Sequence, residues 1–88
     1  MQITFDHAKD QINVEKHDVS LSATADFEWD DALVSVDERR NYGEARMIAI
    51  GYIGERLYVV VYVDRHDSRR IISLRKANSR EARYYAEA

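Results

Sequence analysis

The 88-residue chain has no cysteine and no proline, and its three glycines stand at 43, 51 and 54. Without cysteine there is no disulfide framework and no thiolate chemistry. The fold therefore stands on packing alone, or on a partner. No apolar run approaches the roughly 18 residues of a membrane span. The opening Met-Gln-Ile-Thr-Phe-Asp lacks the basic start and apolar middle of a signal peptide. A cytoplasmic protein with no membrane contact is expected. His7, His17 and His66 are scattered, with no His-x-x-x-His pair, so no metal site is expected. A phosphate-binding glycine loop and a serine-nucleophile motif are also missing, and no cofactor is expected.

What is present fits one domain, residues 1–88, with a small core. Apolar residues make up 45% and charged residues 33% of the chain, a balance typical of a globular protein. The net charge of −3 hides a split. Residues 1–44 carry four Lys/Arg against eleven Asp/Glu, and residues 45–88 carry nine against five. The second half is thus basic, a signal of interaction.

Ile3-Thr4-Phe5 reads as a short strand. Asp6 is placed to cap a helix over Asp6–His17, with Ala8 and Ile12 as its apolar stripe. Lys9, Asn13, Lys16 and His17 fall on one neighbouring polar face. Ser20 caps a second short helix, about 20–28, with Leu21, Ala25 and Trp29 turned inward. Leu33–Val36 is a strand, and Asp37–Glu44, with Asn41-Tyr42-Gly43, a loop. Three strands follow in a meander: Arg46–Ile53, Leu57–Val63 and Arg70–Arg75, linked by Gly54-Glu55-Arg56 and by a loop over 64–69. Asn78 and Glu81 have capping-box spacing before a helix over Ser79–Ala88. The expected class is α+β: a bent antiparallel sheet with N-terminal helices and a C-terminal helix packed on one side.

The arginines are the strongest chemical signal. Simple strand alternation puts Arg69, Ile71, Ser73 and Arg75 on one face and Arg70, Ile72 and Leu74 on the other. Arg70 and Arg75 then point oppositely, unless a bulge intervenes. A guanidinium grips a phosphate bidentately and stabilises charge building on phosphorus, but it does not readily exchange a proton. Arg46, at the start of its strand, is a second clamp candidate. His17, beside Lys16, supplies the acid–base group that arginines lack. Arg80, Arg83, Tyr84 and Tyr85 on the last helix offer charge and stacking surfaces for RNA. A base, an acid and a cationic clamp suffice for a ribonuclease that uses the substrate's own 2′-hydroxyl as nucleophile.

Three stretches resemble the BrnT family of toxins, within the larger RelE/ParE-like group. Phe5-Asp6-His7-Ala8-Lys9, Asn13 and Lys16-His17-Asp18-Val19 match its opening pattern. Gly43-Glu44-Ala45-Arg46 with Ile48-Ala49-Ile50-Gly51 matches its Glu-x-Arg strand entry. Arg70-Ile71-Ile72-Ser73-Leu74-Arg75-Lys76-Ala77, with Arg80-Glu81 and Tyr84-Tyr85, matches its closing segment. Asp18 stands where glycine is usual, Phe5 where tryptophan is, and His7 where proline is common. The resemblance implies a metal-independent endoribonuclease that blocks translation. It implies a ribbon-helix-helix antitoxin, bound two-plus-two, that carries the pair to operator DNA. His17, Arg46, Arg70 and Arg75 map onto catalytic positions; Lys9, Lys16, Lys76, Arg80, Arg83 and Tyr85 are the expected RNA contacts. Two other classes stay open: a non-catalytic module that binds an antitoxin, and a toxin with a target other than RNA.

Overall fold

Leu57 to Val63 is apolar at every position and rich in β-branched and aromatic side chains, which suits a strand covered on both faces. It forms the middle of a five-stranded sheet. The strands are β1 (Gln2–Phe5), β2 (Leu33–Val36), β3 (Met47–Ile53), β4 (Arg56–Arg65) and β5 (Ser68–Lys76), in the spatial order β1-β5-β4-β3-β2. Helix α1 (His7–His17) and two 3₁₀ turns, Leu21–Asp26 and Trp29–Asp31, join β1 to β2, and helix α2 (Ser79–Glu87) closes the chain. The computed structural model describes residues 1–39 and 43–88. The turn expected at Asn41-Tyr42 lies outside the described residues.

β3 through β5 form the expected antiparallel meander, and β2 pairs antiparallel with β3. The sheet as a whole is mixed, which corrects the all-antiparallel expectation: β1 runs parallel to β5. Short links force antiparallel neighbours only where they exist, and β1 reaches its partner after most of the chain has passed. The third link is also tighter than expected. β4 and β5 extend into the anticipated 64–69 loop and meet at His66-Asp67, with His66 at φ 21°. On the other side of β4, Gly54 turns the β3–β4 hairpin at φ 61°.

One face of the sheet carries the core. Ala49, Val60, Tyr62, Ile71 and Leu74 pack there with Leu21 and Phe27. The short segment after α1 is a 3₁₀ helix, so inward positions recur every third residue and Leu21, Thr24 and Phe27 are buried. Ala25, expected inside on α-helical spacing, is exposed. A β-carbon on Gly51 would lie 2.7 Å from Phe27 Cζ, so only glycine admits that ring against β3. The helices do not share one side of the sheet, as had been expected. Tyr52 lies on the face opposite Gly51, and its ring meets Tyr85 of α2 edge-on at 5.6 Å.

α1 begins as anticipated, with the Asp6 carboxylate accepting from Lys9 N at 3.3 Å. Asp18 ends it in the left-handed conformation, φ 59°, where the family pattern has glycine. Its packing differs from the expected apolar stripe: Ala8 is exposed and Ile12 is 55% exposed. The helix is fastened by polar side chains instead. Asp10 accepts from Leu21 N at 2.7 Å and from the Ser20 hydroxyl at 3.0 Å. Buried Asn13 donates to the Leu74 carbonyl at 2.8 Å and the Val19 carbonyl at 2.9 Å, and accepts from Leu74 N at 3.1 Å. β1 ends opposite Ile71, so beyond that point β5 lacks a strand on this edge. Asn13 supplies the missing backbone pairing with one amide.

Asn13→Ala would leave both Leu74 backbone groups unpaired in a buried place. Such groups cost about 1–3 kcal/mol each. A loss of roughly 2–4 kcal/mol is expected in urea unfolding. Ile12→Ala should change stability by no more than about 0.5 kcal/mol.

Candidate active site

β5 does not alternate evenly. Val61 pairs with Ser73, while the next residue, Tyr62, pairs with Ile71, leaving Ile72 as a bulge. One extra residue reverses every facing beyond it. Arg70, Ser73 and Arg75 therefore share a face, opposite Val63, Val61 and Val59 respectively. Arg69, Ile71, Leu74 and Lys76 take the core face. This corrects the alternation that set Arg70 against Arg75. Arg69 is spent on structure: its guanidinium lies 4.5 Å from the Trp29 ring and 4.4 Å from the Tyr62 ring, and pairs with Asp64 at 2.7 Å.

Arg46 joins the same face as Arg70. Asp37 N donates to the Arg46 carbonyl at 2.8 Å, so the β2–β3 ladder continues one pair past Met47. Alternation from Ile48 then places Arg46 with Arg70, the central strand between them. Glu44 links this end electrostatically. Its carboxyl is held below the ordinary range, first by the hydrogen bonds from Arg65, with Arg46 and Arg70 adding their charge. Among the described residues, Arg70 makes no ion pair and no side-chain hydrogen bond.

Arg75 is engaged. It donates to the two Glu81 oxygens at 2.8 and 2.7 Å in a forked pair, and to the Lys76 carbonyl at 3.3 Å. Glu81 also accepts from Asn78 N at 2.9 Å while the Asn78 side chain accepts from Glu81 N, the anticipated capping box with asparagine as cap. Arg75's hydrogen bonds hold the Glu81 carboxyl below its ordinary range, and the Asn78 N–H assists. Arg39 is close enough for its charge to act on Arg75. It is held bidentately by the buried Asp37 carboxylate, at 2.9 Å from both nitrogens. Arg39 and Arg65 were missed in the sequence. They sit in a charged turn and at a hairpin end, where no periodicity assigns a face.

The polar face of α1 stands beside this set. Lys9, Ile12, Asn13, Lys16 and His17 line a cleft of about 190 Å³ against Ile72 and Ser73. The bulge forms one wall. Ser73 belongs both to the cleft and to the arginine face, so it joins His17 and the two lysines to Arg70 and Arg75. The other expected RNA contacts lie apart. Lys76 points from the opposite face. Arg80 and Arg83 are exposed beside Asn78 and Ser79 on α2. Tyr85 packs on Tyr52 and donates its hydroxyl to the Asp31 carbonyl at 3.2 Å, which gives it a structural task. Tyr84 is 62% exposed. No three His, Cys, Asp or Glu side chains cluster to hold a metal ion among the described residues.

A family model described as the ribonuclease toxin, BrnT, of type II toxin-antitoxin systems matches residues 5–81. The solved structure of the Brucella abortus ribonuclease toxin, BrnT, is similar at a TM-score of 0.70 and 26% identity, covering 90% of this chain and 99% of that one. None of the curated proteins matches.

A lowered Glu81 pKa means that its ion pair contributes fully above the ordinary carboxylate range. The contribution fades as pH falls through the lowered value. Glu81→Gln keeps the capping geometry and removes the charge. The wild type should be about 1 kcal/mol more stable than this variant at neutral pH, since both partners are partly exposed to screening. Thermal melts should show that gap closing as pH falls below the ordinary carboxylate range.

Proposed function

The chain belongs to the BrnT family of ribonuclease toxins of type II toxin-antitoxin systems, and from that premise we propose that Arg70, Arg75 and His17 cut RNA at the junction of β5 and α1. The observation that carries this reading is the Ile72 bulge. It turns Arg70 and Arg75 to one face and lays Ser73 into the cleft that His17 lines.

The reaction needs no metal ion. The substrate's 2′-oxygen attacks the adjacent phosphorus as its proton passes to solvent water. The bond from phosphorus to the 5′-oxygen breaks, and His17 gives that oxygen a proton. The products carry a 2′,3′-cyclic phosphate and a 5′-hydroxyl. Negative charge gathers on the non-bridging oxygens, where Arg70, unpaired at rest, is the first clamp. Arg75 joins as RNA phosphate competes with Glu81 for its fork. Arg46 supports the clamp from beyond β4. Lys9 and Lys16 hold the strand along the α1 side of the cleft, as point charges on phosphates. Arg80 and Arg83 extend the basic surface onto α2.

The partner is an antitoxin, as for any type II system. We assign it the ribbon-helix-helix type and a two-plus-two assembly on the resemblance of the chain to its family, with operator DNA reached through the antitoxin. The helices flanking a largely antiparallel meander support a place in the RelE/ParE-like group. A radius of gyration of 12.5 Å, near the value of about 12 Å that its length requires, supports one domain over residues 1–88. We place the protein in the cytoplasm, where a ribonuclease toxin meets RNA. No helix among the described residues is long and apolar enough to cross a membrane.

Arg70→Ala and Arg75→Ala should each slow RNA cleavage by about 10²-fold, and lysine should restore little, because it lacks the fork. His17→Ala should cost about 10²-fold or more. Lys76→Ala, on the far face, should leave the rate nearly unchanged. Gel assays with end-group analysis of the fragments check all four. Wild-type rates in both arginine variants would remove the clamp. Intact RNA with undiminished antitoxin binding would favour the non-catalytic module.

A further inference from the structure

β2 ends the sheet with a bare edge. Asp37 N donates to the Arg46 carbonyl, so Asp37 and Arg46 form a hydrogen-bonded pair. Antiparallel ladders alternate bonded and non-bonded pairs. Ser35 with Ile48 and Leu33 with Ile50 are then the bonded pairs, and the N–H and C=O groups of Val34 and Val36 point away from β3. No described backbone or side chain outside the ladder bonds to them. Their side chains are 49% and 52% exposed. Natural edges are usually blunted by lysine, proline or a bulge. Leu33-Val34-Ser35-Val36 has none of these.

The flanks say what fits. Before β2, residues 26–31 carry Asp26, Glu28, Asp30 and Asp31 and no Lys or Arg; after it, the Asp37 carboxylate is buried and held by Arg39. An extended segment with apolar residues at alternate positions and basic residues at one end meets both demands: backbone pairing and apolar cover for the valines, opposite charge for the acidic flank before β2.

We propose that β2 is the docking edge for the antitoxin, a segment of which adds a sixth strand beside Val34 and Val36 with its Lys or Arg residues against the acidic flank that precedes β2. The proposal rests on the toxin reading and deepens it. β2 and the α1–β5 cleft lie at opposite sides of the sheet. The added strand therefore holds the partner without itself filling the cleft.

The test uses the full chain and the antitoxin encoded by the adjoining reading frame. Hydrogen exchange should show the Val34 and Val36 amides protected roughly tenfold or more on complex formation. The double variant Val34→Lys, Val36→Lys should bind roughly tenfold or more weakly, and should still fold and cleave RNA as the wild type does. Unchanged exchange at both amides, or wild-type affinity in the folded variant, would overturn the proposal. So would protection that grows with concentration in the chain alone, which would assign the edge to a second copy. RNA cleavage and antitoxin binding by the wild type are read in the same series. Their absence would sink the toxin reading itself, whereas their presence with an unprotected edge would sink only the docking assignment.

Discussion

The single extra residue at Ile72 decides which arginines of β5 face the same way. Arg70 and Arg75 are five positions apart, an odd number, and a regular strand must point them to opposite sides. The bulge makes the count even. It also sends Arg69 to the core face, where Trp29, Tyr62 and Asp64 enclose it. One backbone irregularity thus separates a structural arginine from two that face outward together.

That irregularity is held from both sides. Across the ladder, β4 pairs with β5 on either flank of the bulge. On the outer edge, Asn13 grips both backbone groups of Leu74, two residues beyond it. The same amide draws α1 against β5 and so forms the cleft with Lys9, Lys16 and His17. Packing and function share this contact. The helix hides little apolar surface, and its polar face stays beside the basic one because a buried amide holds it there.

Carboxylates balance Arg65, Arg75 and Arg39, while Arg70 has no such partner among the described residues. Glu44 holds Arg65, Glu81 holds Arg75 and Asp37 holds Arg39. Guanidiniums crowded on a small domain repel one another, and neighbouring carboxylates offset that cost in the resting protein. In the proposed reaction an RNA phosphate would exchange one anion for another at Arg75. The arrangement reconciles a net acidic chain with a nucleic-acid substrate.

Much of this was legible in the sequence. The caps at Asp6, Ser20 and Asn78, the four later strands, the polar face of α1 and the order of the family's motifs are local patterns, set by side chains within a few residues of each other. Periodicity could not reveal the parallel pairing of β1, because that pairing depends on a strand more than 60 residues away. The exposed Ile12 and the buried Asn13 escaped it too, since the open edge of β5 exists only in three dimensions. The face of Arg70 relative to Arg75 depended on where β4 and β5 fall out of register. Registry is a property of two strands together, and neither strand's sequence states it alone.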